Sequence, residues 1–160
     1  MPLSVASMNC RGQTKLSETK QQMIQHEIKM RKIDILHMQE CRVTSETFQK
    51  CDFIKANFQI FANNSESEYG TCSLVKNNIE VKNVKIIPGG RIIAFDIDDT
   101  TLFNIYLPSG TAAKAEREEM VGSLLSNMML DAGRRGIAMG DFNCLDNALD
   151  ATHSAEQKIS

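Results

Sequence analysis

The chain has 160 residues, 42% hydrophobic and 24% charged, the proportions of one globular domain with a real core and not of a disordered segment. Eighteen basic residues stand against 20 acidic ones, giving a formal net charge of −2 and a pI near 5.9. That excludes a protein that holds nucleic acid by a global positive field, although an enzyme needs only a local basic groove.

Leu3 to Met8 has strand character and runs into Asn9-Cys10-Arg11-Gly12, where polar groups end the apolar run and a glycine offers a turn. Leu16 to Arg31 reads as a helix capped by Ser17, with Leu16, Met23, Ile24 and Ile28 on one face. Ile33 to Met38 is too short for a helix and suits a strand buried on both sides, ending at Gln39-Glu40. A short helix is expected within Thr44 to Asn57, with Phe48 and Phe53 inward. Phe58 to Ala62 reads as a strand, and Asn63 to Gly70 as a polar loop.

The period then shortens to two. Thr71 to Val75, Ile79 to Ile87, Arg91 to Asp98 and Leu102 to Leu107 are successive strand candidates, joined by turn signals at Asn77-Asn78, Pro88-Gly89-Gly90 and Asp98-Asp99-Thr100. An antiparallel meander is the natural product. Thr111 is placed to cap a long helix to about Ala132, its Met120, Val121, Leu124, Leu125, Met128 and Met129 stripe facing the core and Gly133 closing it. Ile137, Ala138 and Met139 form a last buried strand. It stops at Gly140-Asp141-Phe142-Asn143, where Asp141 and Asn143 are expected on one side. Residues 146–160 are polar and read as a tail, so the folded unit is expected over residues 1–145.

Five cysteines, Cys10, Cys41, Cys51, Cys72 and Cys144, are odd in number and form no Cys-x-x-Cys pair. Reduced thiols in an intracellular protein are the expectation, not a disulfide framework or a zinc site. Cys10, Cys41 and Cys144 each adjoin a polar strand end, and buried bystander thiols are the plainer account of them. No basic-then-apolar leader opens the chain, and no run approaches the ~18 apolar residues of a membrane span.

Asn9, Glu40, Tyr106 with Pro108, and Asp141 with Asn143 all follow apolar runs, and strand ends of this kind converge in crevices at sheet edges. Two carboxylates and two carboxamides suit a hard divalent cation that takes oxygen ligands and keeps its waters. Five segments carry a resemblance. They are Ser7-Met8-Asn9-Cys10-Arg11-Gly12, Ile35-Leu36-His37-Met38-Gln39-Glu40, Tyr69-Gly70-Thr71-Cys72-Ser73-Leu74-Val75, Asn104-Ile105-Tyr106-Leu107-Pro108 and Gly140-Asp141-Phe142-Asn143. In this order the chain resembles the endonuclease/exonuclease/phosphatase superfamily, and within it the apurinic-endonuclease-like domains of non-LTR (LINE-type) retrotransposons.

The resemblance implies an α/β fold of two packed, mainly antiparallel β-sheets flanked by helices, a Mg²⁺ or Mn²⁺ ion, and hydrolysis of a phosphodiester in DNA. It implies that Glu40 is the principal metal ligand, with Asp141 and Asn9 also near the metal, and that Asn9 orients Glu40 or contacts the scissile phosphate. Tyr106 would hydrogen-bond that phosphate, Asp141 would position or deprotonate water, and Asn143 would hold that geometry. Arg11 and Ser109 depart from the usual pattern. The family closes on a further Asp and a Ser-Asp-His-like element, whereas this sequence has no Asp-His pair, and His153 lies too close to Asn143 to serve. An incomplete second sheet and little or no nuclease activity are therefore expected of the 160 residues as given.

Two other readings stand beside this one. Phe95-Asp96-Ile97-Asp98-Asp99-Thr100 has the form of the aspartyl-phosphate motif of haloacid-dehalogenase-like phosphatases, with Asp96 as nucleophile and Asp98 as general acid. Against it, about ninety residues precede a motif that normally opens that fold, and one helix is too little for its βαβ units. The other reading is a nucleic-acid-binding remnant that keeps the crevice without the chemistry.

Overall fold

The computed structural model describes residues 2–13, 16–66, 69–129 and 133–144, without the side chains of residues 13, 125 and 127–129. The expected tail over 146–160, the end of the long helix at Ala132 and its Leu125, Met128 and Met129 side chains lie outside the described residues.

Among the described residues, alternating side chains of eight strands build two four-stranded sheets. The first contains β1 (Val5–Gln13), β2 (Ile35–Cys41), β3 (Phe58–Asn63) and β4 (Gly70–Lys76), in the order β1-β2-β4-β3. The second contains β5 (Lys82–Ile87), β6 (Ile92–Ile97), β7 (Thr100–Tyr106) and β8 (Arg135–Asp141), in chain order. Pairs β1/β2 and β7/β8 are parallel and the other four pairings antiparallel, in agreement with the expected mainly antiparallel fold. Each parallel pair encloses a helix, α1 (Glu18–Arg31) or α3 (Lys114–Met129), because parallel neighbours need a crossover.

Period-two alternation sorts the strand residues into layers. Leu36 and Met38 of β2 and Leu74 of β4 pack outward with Ile24 and Ile28 of α1 and Ile54 of α2 (Asp52–Asn57). Ile35 and Val75 face inward and meet Ile93, Phe95, Ile97 and Leu102 of the second sheet. On the far side Ile92, Ala94, Phe103 and Ile105 pack under Leu124 of α3. The order is helix, sheet, sheet, helix.

Several boundaries differ from the sequence reading. The segment Asn9 to Gly12 is not a turn: β1 continues through it as a bulge, with Arg11 at φ 59 and Gly12 at φ 67. Ser17 caps α1 through Lys20 N–H at 3.2 Å, but Met23 is 43% exposed and not part of the buried face. Within Thr44 to Asn57 only residues 52–57 are helical, because Phe48 at φ 65 breaks the preceding turns while its ring stays buried. Strand β5 starts at Lys82, not Ile79. All six of its residues are exposed, whereas Ile79 and Val81 pack into the inter-sheet core before it begins. Thr111 opens a 3₁₀ turn, Thr111–Ala113, and α3 starts after it. Ile137 is 48% exposed because β8 is an edge strand, so the expected burial of that run fails at its first residue.

Toward one end the inter-sheet layer turns polar. Buried Asn104 donates to Met38 O, Cys72 O and Ser73 Oγ at 3.3, 2.9 and 3.1 Å, and accepts from Gln39 Nε2 at 2.9 Å. His37 Nδ1 meets Ser73 Oγ at 2.9 Å, while its buried Nε2 has no hydrogen-bond partner. Burial lowers the His37 pKa to about 4. The imidazole is neutral when folded and charges near pH 6.5 when unfolded, so its contribution is present above pH 6.5 and is lost as pH falls toward 4. Wild-type stability to urea is expected to fall by about 2–3 kcal/mol across that window, and His37→Gln to flatten the fall. Asp34, held below the usual carboxylate range by its hydrogen bond to Lys76, acts only at lower pH. Identical pH slopes for the two proteins would refute the assignment to His37.

Candidate active site

At the polar end of the layer three strand ends meet. In a regular strand the neighbours Gln39 and Glu40 point to opposite faces. The register of β2 shifts between Gln39 and Cys41, and Glu40 itself adopts φ 51. That bulge lets Gln39 reach inward to Ser7 and Asn104 while Glu40 still reaches Asn9. A side chain other than glycine held in the left-handed region costs about 1–3 kcal/mol. Such strain is compatible with a chemical role for Glu40.

Asn9 joins the two sheets. Its Nδ2 donates to Glu40 Oε1 at 2.9 Å and to Asp141 Oδ2 at 2.6 Å, and its Oδ1 accepts from Arg11 N–H at 2.7 Å. The amide hydrogens therefore face the carboxylates and the amide oxygen faces the bulge. In this arrangement Asn9 clamps two carboxylates and does not offer them a third oxygen.

Asp141 ends β8, opposite Tyr106 of β7, and Leu107 N–H donates to its backbone oxygen at 2.8 Å. Before it, Gly140 lies so close to β7 that a Cβ would overlap the Ile105 carbonyl oxygen. Asn143 does not project alongside Asp141 into the centre. Its backbone N–H donates to Asp141 Oδ1 at 3.0 Å, and its side chain turns to Leu107 O at 2.7 Å. It braces the turn that presents Asp141. Tyr106 is buried at the end of the inward column Leu102, Asn104, Tyr106, with the Arg91 guanidinium 4.6 Å from its ring centroid. Pro108 is buried, and its carbonyl accepts from Arg117 at 2.9 Å.

Glu40 and Asp141 share one amide group, so two carboxylates lie close together with a single neutral donor between them. Such a pair fits a hard divalent cation that keeps several waters. Among the described residues no group of three or more His, Cys, Asp or Glu side chains is placed to hold a metal, so such a cation would be only partly ligated by protein. Positive charge is supplied beside Tyr106, where Arg91 stacks on the ring, whereas the Arg42 guanidinium donates to Ser65 O at 2.9 Å.

The remaining sequence candidates lie elsewhere. Cys41 Sγ donates to Gly70 O at 4.0 Å, and the neighbouring Cys10 thiol together with burial pushes the Cys41 thiol well above its usual range. Their buried neighbour is Cys72 and not the exposed Cys144, so the three thiols beside site residues do not converge. Asp96 lies on antiparallel β6, and Asp98 and Asp99 form the hairpin turn into β7, which removes the parallel βαβ frame the phosphatase reading requires. Burial raises the Asp96 carboxyl, but Thr101, Asn83 and Arg134 outweigh it and hold the group below the usual range. Asp96 is a structural anion.

Sequence reasoning missed three residues. Asn104 carried a signal, a carboxamide at an inward position of an otherwise apolar strand. Arg91 directly follows the Pro88-Gly89-Gly90 turn, and buried Asn63 clamps that turn from β3 through Ile87 O, Ile92 O and Gly90 N–H. Neither pairing shows in local sequence.

No family model matches the chain, and no curated protein matches it. Solved structures do. Truncated TDP2 from Caenorhabditis elegans is similar with a TM-score of 0.67 and 22% identity, over 90% of this chain and 63% of that one. An AP endonuclease from Archaeoglobus fulgidus gives 0.70 and 20%, over 93% and 60%. The Neisseria 3′ phosphatase NExo, bound to a product DNA hairpin, gives 0.72 and 14%, over 93% and 61%. At these identities the likeness is one of fold, and the chain spans less than two thirds of each of the three.

Proposed function

We propose, for a chain that has the fold of the endonuclease/exonuclease/phosphatase superfamily, that it is a divalent-metal-dependent phosphodiesterase acting on DNA. The observation that carries this reading is the Asn9 amide bridging Glu40 and Asp141 across the two sheets. In this reading Glu40, with Asp141 beside it, would hold Mg²⁺ or Mn²⁺, which would supply positive charge to offset that on the phosphoryl oxygens. Asp141 takes the proton of the attacking water, braced by the Asn143 N–H and the Asn9 amide. Tyr106 hydrogen-bonds a phosphate oxygen. Arg91 against Tyr106 gives the centre a local positive charge on an acidic protein, which favours an anionic substrate. NExo, a fold neighbour, was solved with DNA. The finer reading is target-site nicking of the non-LTR retrotransposon kind, supported by the order of the five segments.

Supercoiled plasmid in Mg²⁺ is expected to be nicked slowly under single-turnover conditions, because the sequence lacks an Asp-His pair, and not at all in EDTA. Cleavage undiminished by EDTA would sink the reading. Salt-dependent DNA binding without cleavage in either Mg²⁺ or Mn²⁺ would favour the non-catalytic alternative.

A further inference from the structure

We infer that Arg91 is a positioning residue of this centre, fixing the plane of the Tyr106 ring so that the phenol meets the phosphate in one orientation. The inference rests on the reading of Tyr106 given under Proposed function. Three observations carry it. First, β6 and β7 pair with Ile92 opposite Ile105, and Tyr106 N–H donates to Arg91 O at 2.8 Å, so Arg91 and Tyr106 are directly opposed. Directly opposed side chains share a face. Second, the guanidinium carbon stands 4.6 Å from the ring centroid, and stacking on the face constrains a ring without occupying the edge that carries the hydroxyl.

Third, the backbone that presents Arg91 is fixed from the opposite sheet. Asn63 is buried in β3, and its amide donates to Ile87 O at 2.6 Å and Ile92 O at 2.9 Å. Its oxygen accepts from Gly90 N–H at 3.2 Å. Gly90 adopts φ 78 with Ser65 and Gly70 packed against it, so the turn has one arrangement. Three hydrogen bonds with buried Asn63 and close packing at buried Gly90 hold this turn in place. Their effect is to hold a cation over one aromatic face.

The test uses the composition of the chain. There is no tryptophan and there are two tyrosines, so in a Tyr69→Phe background the tyrosine band of near-ultraviolet circular dichroism reports Tyr106 alone. Arg91→Met is expected to reduce that band by half or more at unchanged far-ultraviolet signal, and Arg91→Lys to keep part of it. Arg91→Gln replaces the Met variant should that one not fold. In single-turnover plasmid nicking, Arg91→Met lowers the rate at saturating protein about tenfold, with the half-saturating protein concentration little changed. Added to Tyr106→Phe it costs nothing further, because the two residues act through one group.

A Tyr106 band unchanged by Arg91→Met, or losses that add in the double variant, would overturn the inference. The two readings fail separately. A wild-type chain that cleaves nothing refutes the phosphodiesterase while the dichroism still decides whether Arg91 fixes the ring. An active chain whose Tyr106 band survives Arg91→Met refutes only the role of Arg91.

Discussion

Glu40→Ala is expected to cut metal-dependent cleavage by about 10³-fold or more while leaving the protein folded. Of the two carboxylates on the Asn9 amide, Glu40 is the one the fold makes the greater backbone sacrifice to present. A cation held by two carboxylates and water loses half its protein charge when one is removed. Stabilisation of a developing phosphorane charge by a metal is worth several kcal/mol, and about 4 kcal/mol is three decades in rate. Stability should move the other way. Glu40 sits at φ 51 and shares a donor with a second anion, so removing its carboxylate relieves the repulsion, and removing its Cβ as well relieves the backbone strain. Glu40→Gly, with no side chain to strain, should therefore be inactive and at least as resistant to heat as wild type. A nicking rate within tenfold of wild type would show that Glu40 is not the metal ligand. A large drop in melting temperature would show that it is mainly structural.

The second large effect is predicted one residue before the other carboxylate. Gly140→Ala should destabilise the protein by about 3 kcal/mol or more, a fall of about 10 °C in melting temperature for a chain of this size. Gly140 has φ 146, and any Cβ would meet the backbone of Ile105 on the paired strand, where no side chain can move aside. The conflict is resolved only by separating β8 from β7, which also carries Asp141 away from Asn9. Gly133→Ala is the control. Its φ of 96 is also unfavourable, but nothing lies within 4 Å, so it should cost about 1 kcal/mol. Equal losses from the two substitutions would mean that the contact with Ile105 is not what makes Gly140 necessary.

The strand ends were legible because they combine two local signals, an apolar run and an abrupt polar stop. Asn9, Glu40, Tyr106 and Asp141 were found in that way, and the structure places Asn9, Glu40 and Asp141 in one hydrogen-bonded group, with Tyr106 beside Asp141 in register. Their contacts were not legible. Period-two reasoning puts Gln39 and Glu40 on opposite faces, and only a bulge, which has no sequence code beyond a tolerated φ, brings both to the interior end. Asn143 was placed beside Asp141 by the same alternation, yet the strand ends at Asp141 and the chain turns. The all-exposed β5 and the half-exposed Ile137 failed for a related reason. An apolar β-former at a sheet edge looks like one in the middle, and only the strand order tells them apart.

The clamp made by Asn9 joins residues 132 positions apart. During synthesis at roughly 5–20 residues per second, the Asn9–Glu40 half of the centre leaves the ribosome several seconds before Asp141 does. No nascent chain short of β8 holds both carboxylates. In the proposed reading the centre is therefore assembled, and able to cleave, only once translation has passed β8.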